Sequence, residues 1–425
     1  MKLLDAGKLD LATHIRAGDT VVWGQIAGEP QTLTEALVQQ RAGIGRFQVF
    51  LGGAFSRTLA PEHADFITFR GLGPAGTHRR LAAAGVFDVL PIHLSHIEPM
   101  LHDGTLPCEV ALIQVSPANE RGEYSYGITG DYLPAAVRKA RVVIAEINRQ
   151  VPWTYNTTPL TAADIDYAIE TDRPLVEVAA QAPSETDRRI AAATSRFIAD
   201  RSTLQMGIGA VPEALLMLIR DRRGLGIHSG IIGEGVAALM RDGIVDNAHK
   251  GIDAGVTITG TILGSAALYR YFDHNPALRV APVSYTHAPQ VVRQLAGFVS
   301  INSALEVDLT GQVNSEALGD SYLGAVGGQV DYVRAAASSG GRSIIALPST
   351  AGGGKATRIV AKLSGPVTTA RSDVDVIVTE HGAAQLRGQS ISQRARAMLA
   401  ICDPAHREAL ERQAHELFKA SPSWR

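Results

Sequence analysis

The feature that most constrains the fold is the alternation, along the whole chain, of short β-branched runs with stretches of helical character. This pattern is typical of α/β proteins with mainly parallel strands, because a parallel connection needs a crossover segment, usually a helix. We predict strands at 20–24, 46–51, 109–115, 141–147, 203–206, 225–228, 298–301, 343–347 and 374–379. We predict helices at 32–41, 132–139, 211–221, 288–295, 390–400 and 404–415.

The length of the chain, 425 residues, favours two domains. A single hydrophobic core usually stops growing at about 250–300 residues. Residues 170–198 have the composition of a connection, with two prolines, mixed charge and a Ser-x-x-Asp helix start at 184–187. We therefore predict one α/β domain over 1–185 and a second over 186–425.

Composition excludes several classes of protein. The 40 basic and 42 acidic residues are nearly balanced, without a basic segment, so no nucleic-acid partner is expected. The two cysteines, Cys108 and Cys402, are too few for a disulfide framework, and no metal site is expected. No uncharged run approaches the roughly 20 residues of a membrane span, and early charges argue against a signal peptide. We expect a cytoplasmic protein.

Two glycine-rich segments resemble nucleotide motifs, but each lacks a part that the chemistry needs. GLGPAG (71–76) fits G-x-G-x-x-G, but Pro74 removes a backbone donor and no acidic residue follows at the ribose spacing. GGGKAT (352–357) departs from the phosphate loop at two positions and keeps a single cation, Lys355. We interpret the first as a glycine turn and the second as a loop compatible with another phosphate-bearing ligand.

Histidines next to other polar residues suggest two further sites, and neither is convincing. His93, His96 and His102 lack partners at a good metal-ligand spacing, which favours hydrogen bonding. His228-Ser229 does not match the G-x-S-x-G nucleophile elbow, and adjacent strand residues point to opposite faces. A serine-hydrolase triad is therefore not predicted.

Three glycine-rich turns are expected to follow apolar strands in the second half of the chain. Backbone N–H groups at such turns, each leading into a helix, suit an anionic or carbonyl-bearing ligand, although ordinary loop glycines are an equal alternative. The three segments are QMGIGAVPEALL (205–216), GIHSGIIGEG (226–235) and YLGAVGGQVDYVR (322–334).

Taken in order, these and other segments resemble the acetyl-CoA hydrolase/transferase family. The second half contributes QMGIGAVPEAL, GIHSG, DHNP, SINSALEVDLTGQVNSE, GGQVDYVRAA, IIALPSTA and VTEHGAAQLRG. The first half contributes PIHLSHIEPML, EVALIQVSPANERGEYSYGIT and VIAEINRQVPWTYN. The resemblance covers nearly the whole chain and implies two open α/β domains of the CoA-transferase type, with the active site between them. It also implies a homodimer or higher homo-oligomer, with no permanently bound cofactor.

The resemblance assigns the site residue by residue. It implies a CoA thioester substrate whose oxyanion is held by the N–H groups of Ile208 and Gly328. The CoA site would comprise Leu204, Gln205, Met206, Gly207, Ile208, Leu305, Gly324, Gly328 and Gly352, with Lys355 as a substitute cation. Glu380 matches a glutamate whose position changes together with that of the catalytic glutamate. His287 replaces an asparagine that often contacts the active site. Glu306 and Asp308 are expected to be structural.

The family's nucleophile is a glutamate, and the position that matches it here is Gly230. Glycine cannot attack a thioester, and we interpret Glu234, four residues later, as a supporting residue rather than a displaced nucleophile. We therefore expect water, activated by Glu380, His228 or His287, to hydrolyse an acyl-CoA at its thioester or at a β-keto C–C bond. The alternatives are CoA transfer to a small carboxylate and acyl-CoA binding without turnover.

Overall fold

The computed structural model describes residues 1–157 and 159–419. Strands of the first half are β1 (Lys2–Leu3), β2 (Thr20–Trp23), β3 (Phe47–Leu51), β4 (Ile67–Gly71), β5 (Phe87–Val89), β6 (Val110–Val115), β7 (Glu123–Tyr124), β8 (Val142–Asn148), β9 (Tyr155–Asn156), β10 (Leu160–Thr161) and β11 (Tyr167–Thr171). Strands of the second half are β12 (Thr203–Met206), β13 (Gly226–Ile232), β14 (Thr257–Ile262), β15 (Leu278–Val280), β16 (Phe298–Asn302), β17 (Glu306–Asp308), β18 (Val313–Asn314), β19 (Ala317–Leu318), β20 (Ser321–Tyr322), β21 (Arg342–Ala346), β22 (Thr350–Ala351), β23 (Ala356–Thr357), β24 (Ile359–Val360), β25 (Val376–Thr379) and β26 (Gly382–Gln385).

Helices cover both sheets. They are α1 (Gln31–Ile44), α2 (Arg79–Ala83), α3 (Ile97–Asp103), α4 (Leu133–Lys139), α5 (Glu185–Ser195), α6 (Ala210–Leu218), α7 (Glu234–Arg241), α8 (Ala266–Phe272), α9 (Val283–Thr286), α10 (Pro289–Val292), α11 (Gln329–Ser338), α12 (Ile391–Ala400) and α13 (Pro404–Phe418). Short 3-10 helices lie at Ala6–Lys8, Leu11–Thr13, Pro61–Asp65, Leu94–His96, Ala162–Asp164 and Ile219–Asp221. In the described ranges, no helix combines the length and apolar composition needed to cross a bilayer.

Two large sheets organise the chain. Within the described residues the first has the order β1-β11-β8-β6-β2-β3-β4-β5, with every neighbouring pair parallel. The second has the order β26-β25-β21-β16-β12-β13-β14-β15-β9 and is parallel except for its β25–β26 edge. Strand β9 comes from the first half of the chain but pairs with β15. The predicted α/β architecture is confirmed, while the boundary at residue 185 stays a prediction.

Most predicted strands and helices are present within one or two residues of the expected ends. The Ser-x-x-Asp start is confirmed, because Ser184 Oγ accepts a hydrogen bond from Asp187 N and the Asp187 carboxylate accepts one from Ser184 N. The helix predicted at 288–295 is too long, since α10 ends at Val292. Strand β13 continues to Ile232, so Gly230 lies inside a strand and not at the expected turn.

Close backbone contact joins the two halves. A Cβ added to Gly73 would stand 2.1 Å from the carbonyl oxygen of Gly324, so only glycine fits this approach. Gly76 has a φ of +66°, and a Cβ there would stand 1.9 Å from the Ala54 oxygen. The glycines of GLGPAG therefore form a turn, as the interpretation from sequence expected, and Gly73 also makes a contact between the halves that the sequence did not predict.

Candidate active site

A cleft of about 200 Å³ lies at the carboxyl ends of β12 and β13, and we call it the central cleft. Gln25, Ile26, Leu94 and Asp131 line it from the first half of the chain. Gln205, Met206, Gly207, Gly230, Ile231, Thr261, His287, Asn302, Gly328, Gln329 and Tyr332 line it from the second. Its position is the usual one for ligand sites in parallel α/β sheets, outside the carboxyl ends of the strands.

The imidazole of His287 fills the space beside Gly230. A Cβ built on Gly230 would stand 2.9 Å from His287 Cε1 and 3.1 Å from Nε2. A Cβ on Gly328 would stand 2.3 Å from the same Nε2. One ring therefore packs against two glycines, and residues 230 and 287 are in contact.

The protonation state of His287 follows from its surroundings. Burial lowers its pKa to about 3, so the ring is neutral near pH 7. Its Nδ1 lies 2.8 Å from Thr286 Oγ1, and that hydroxyl donates to the Pro282 carbonyl oxygen 3.3 Å away. We therefore assign the ring proton to Nδ1. Nε2 has no hydrogen-bond partner among the described residues and is left as an acceptor facing the cleft.

Two residues of the GIHSG segment are used in packing rather than in the cleft. Ser229 Oγ donates to Met206 O at 2.8 Å and accepts from Met206 N at 3.3 Å, which joins β13 to β12. His228 is buried, and its Nε2 donates to Thr286 O at 3.0 Å. Burial lowers the pKa of His228 to about 3. His228 does not line the central cleft, so the hypothesis that it activates water there finds no support in the geometry.

The two N–H groups that the resemblance implies as oxyanion donors both lie at helix N-termini. Gly328 precedes α11 and lines the cleft, while Ile208 lies in the turn before α6. Within the described ranges, neither N–H donates to a loop, cap or side-chain acceptor. Ile208 is 40% exposed and lines an adjacent pocket of about 290 Å³ that also contains Gly209 and Glu234. Both N–H groups thus lie at the positive ends of helices, where negative charge is stabilised.

The turn predicted to bind CoA divides between core and cleft. Leu204 is fully buried in the hydrophobic core, so its side chain is not available to a ligand. Gln205 and Asn302 exchange two amide hydrogen bonds of 3.3 and 3.1 Å across β12 and β16. Met206 and Gly207 line the cleft directly, and no atom would lie within 4 Å of a Cβ on Gly207.

Other predicted CoA positions lie outside the central cleft. Leu305 is half-buried, and its N–H donates to Asn314 O at 2.8 Å. Gly324 packs between Gly73 and the Ser315 carbonyl oxygen. Gly352 and Lys355 lie at the exposed tip of the β22–β23 hairpin.

Three acidic residues singled out from sequence are hydrogen-bonded within the fold. Glu306 accepts from Asn314 Nδ2 at 3.0 Å and from Ser364 N at 2.6 Å. Asp308 accepts from Gln312 Nε2 at 2.7 Å. Glu234 accepts from Ser265 Oγ at 2.6 Å, which agrees with a supporting role.

Glu380 is far from Gly230. It follows β25, four strands from β13 in the sheet, and at a spacing of about 4.8 Å per strand this separates them by about 19 Å. Its oxygens accept from Ser349 N at 2.8 Å and Ser349 Oγ at 2.7 Å. The ligand atoms of Glu380, His381 and Asp403 lie within 4.8 Å of one another. In this arrangement Glu380 cannot activate water beside Gly230, which corrects the expectation from sequence.

Asp131 is the cleft residue that sequence reasoning missed. It lines the cleft from the first half, and its Oδ2 accepts from Gln25 Nε2 at 2.6 Å and from Thr261 Oγ1 at 2.7 Å. The motif that carries the resemblance here ends at Thr129, two residues earlier. A single aspartate before a helix gives no periodic signal, so only the tertiary contact with β14 identifies it.

Comparisons with known proteins identify the family and the fold of the chain. Residues 3–179 match the family model of the acetyl-CoA hydrolase/transferase N-terminal domain, and residues 264–414 match that of the C-terminal domain. The chain is 36% identical to the 4-hydroxybutyrate coenzyme A transferase of Clostridium kluyveri, over 98% of each chain. It is 31% identical to a succinyl-CoA:cyclohexane-1-carboxylate CoA transferase of Geobacter metallireducens, over 96% of this chain and 94% of that one. The crystal structure of RipA from Yersinia pestis aligns with a TM-score of 0.92 and 32% identity, over 98% of this chain and 97% of that chain.

Proposed function

This chain belongs to the acetyl-CoA hydrolase/transferase family, and from that membership we propose that it hydrolyses an acyl-CoA with water as the nucleophile. The observation that carries the proposal is the His287 ring, which occupies the space that a side chain at residue 230 would need. With no nucleophilic side chain at that position, we assign the attack on the thioester to water. Enzymes related over the full length of the chain argue against binding without turnover.

In this proposal the thioester carbonyl points at the N–H groups of Ile208 and Gly328. Each donor stabilises the charge that develops on the oxygen in the tetrahedral intermediate, and one such donor is worth about 10²–10³ in rate. The thioester carbon then lies over Gly230. The CoA moiety leaves the cleft past Met206 and Gly207, towards the pocket that Ile208 lines.

His287 positions the water. Its unprotonated Nε2 accepts one hydrogen bond from the water, which directs an oxygen lone pair towards the thioester carbon. Because the ring is packed against Gly230 and Gly328, its orientation is set before substrate arrives. Thr286 Oγ1 holds the opposite ring nitrogen.

Thiol release from a panel of acyl-CoAs, with and without acetate, tests the proposal. We expect thiol release without an acceptor, with oxygen-18 from water in the product acid. Hydrolytic C–C cleavage of a β-keto acyl-CoA would instead leave a shorter acyl-CoA and release no thiol. His287→Leu fills the same space without a ring nitrogen and should lower kcat at least about tenfold. The exposed His102→Leu is the matched control and should leave kcat unchanged.

CoA transfer to a small carboxylate is the second candidate. It is favoured by the Clostridium kluyveri relative, whose name is that of a CoA-transferase and which is 36% identical. Formation of the CoA ester of the acceptor carboxylate, with no thiol released when the acceptor is absent, would establish transfer and overturn the hydrolytic proposal.

A further inference from the structure

Asp131 is the one carboxylate among the described residues that line the central cleft. Its side chain is 2% exposed. Gln25 and Thr261 both donate to Oδ2, which fixes the plane of the carboxylate. Oδ1 accepts no hydrogen bond from the described residues. It is not fully enclosed by protein atoms, so it faces the cleft.

The free oxygen lies next to Gly230. A Cβ built on Gly260 would stand 2.3 Å from Asp131 Oδ1 and 2.9 Å from the Gly230 carbonyl oxygen, so a single methyl group would touch both. The His287 ring contacts Gly230 on the side where a Cβ would project. A substrate carbonyl over Gly230 is therefore flanked by an imidazole nitrogen and a carboxylate oxygen.

The backbone holds Asp131 in this position at some conformational cost. Its φ is +33°, which is unfavourable for a residue with a side chain. Contacts with the second half hold it: Gly130 N donates to Gly260 O at 2.9 Å, and Val283 N donates to Asp131 O at 2.9 Å. Strain that the surrounding structure holds in place is characteristic of functional sites.

The charge state of Asp131 suits proton transfer. Burial raises its pKa to about 6, against the opposing effect of the hydrogen bonds from Gln25 and Thr261. A general base works best when its pKa lies near the operating pH. Burial leaves His287 with a pKa of about 3, so its imidazole is the weaker proton acceptor.

We propose that Asp131 is the general base of the reaction and that His287 only positions the water, an inference that rests on the proposed hydrolysis. Oδ1 takes a proton from the water as its oxygen bonds to the thioester carbon. The tetrahedral intermediate collapses, the C–S bond breaks, and the thiolate of CoA takes the proton back from Asp131. The products are the free acid and CoA thiol, and Asp131 is again ionised.

Asp131→Asn tests this assignment with little structural change. Asparagine has the same shape and is among the residues that best tolerate positive φ. We expect kcat for thiol release to fall about 10²–10⁴-fold, while the Kd for acyl-CoA, measured by calorimetry, changes little. Asp88→Asn, an exposed carboxylate of the same half, is the matched control and should keep wild-type kcat.

The pH profile of the wild-type enzyme is a second test that needs no variant. Protonation removes the base, so kcat/KM should fall as the pH drops below about 6, the pKa of Asp131. A flat profile between pH 5 and 8, or an Asp131→Asn variant that binds acyl-CoA and keeps its kcat, would overturn the role of Asp131 and leave hydrolysis standing. A wild-type enzyme that releases no thiol without an acceptor would overturn both.

Discussion

The His287 ring occupies the volume that a side chain at residue 230 would need. The His287 ring stands 2.9 Å from the place of a Cβ at residue 230, well inside ordinary van der Waals contact. The ring is also buried against Gly328 and Tyr332, which leaves it little room to withdraw. A carboxylate at 230 and an imidazole at 287 therefore cannot coexist without displacement of one of them.

Placing a carboxylate at 230 should consequently require two changes. Gly230→Glu alone should lose hydrolysis and gain no CoA transfer, because overpacking a well-packed site displaces side chains at a cost of about 1–3 kcal/mol. Gly230→Glu with His287→Asn should transfer CoA from an acyl-CoA to acetate, which chromatography of the CoA esters measures. His287→Asn alone is the control. Equal transfer by the single and double variants would show that the ring is no obstacle.

At the level of elements, strand β13 extends four residues beyond the end that its sequence predicts, and so includes Gly230. Its ladder with β14 pairs Ser229 with Thr259 and Ile231 with Thr261, which keeps Gly230 in the strand. Glycine weakens local strand propensity, so the sequence pattern ends the strand at 228, and only pairing across strands extends it.

The elements that could be predicted are those with local signals. Buried β-branched runs identified β2, β6 and β8, and the resemblance grouped Met206, Gly230 and Gly328 correctly in one cleft. The placement of Glu380 failed for a physical reason. The ends of parallel strands meet at one edge of a sheet, but the number of strands between them depends on strand order, which local sequence does not encode.

The contact between Gly73 and Gly324 gives a test at this scale. Gly73→Ala places a methyl group 2.1 Å from the Gly324 oxygen and should lower the free energy of unfolding by about 1–3 kcal/mol, measured with urea. Gly43→Ala in α1 meets no atom within 4 Å and should leave stability unchanged or raise it. A neutral Gly73→Ala would contradict the close approach.

At the scale of the whole molecule, the two sheets are interlocked. Strand β9 crosses from the first half into the second sheet, and Ile262 N donates to Ile128 O at 2.8 Å. Asp131 reaches the cleft through the same region. The site is thus assembled from both halves, and neither half contains it alone.

This interlocking predicts cooperative unfolding. Differential scanning calorimetry should give one transition, with equal calorimetric and van't Hoff enthalpies. Unfolding of either half breaks the pairing of β9 with β15 and the backbone hydrogen bonds that join the two halves. Two resolved transitions would mean that the halves are energetically independent. Saturating acyl-CoA should then raise the single Tm, since ligand binds only the assembled cleft.

The contact between Gly230 and the His287 ring also orders the changes that this pocket can undergo by descent. A lineage that first gains a bulky residue at 230 carries a clash, whereas one that first loses the imidazole opens room for later substitutions at 230. A single substitution at residue 230 therefore does not place a larger side chain there unless the His287 ring is also replaced. Positions 230 and 287 must therefore be interpreted together when related chains are sorted by chemistry.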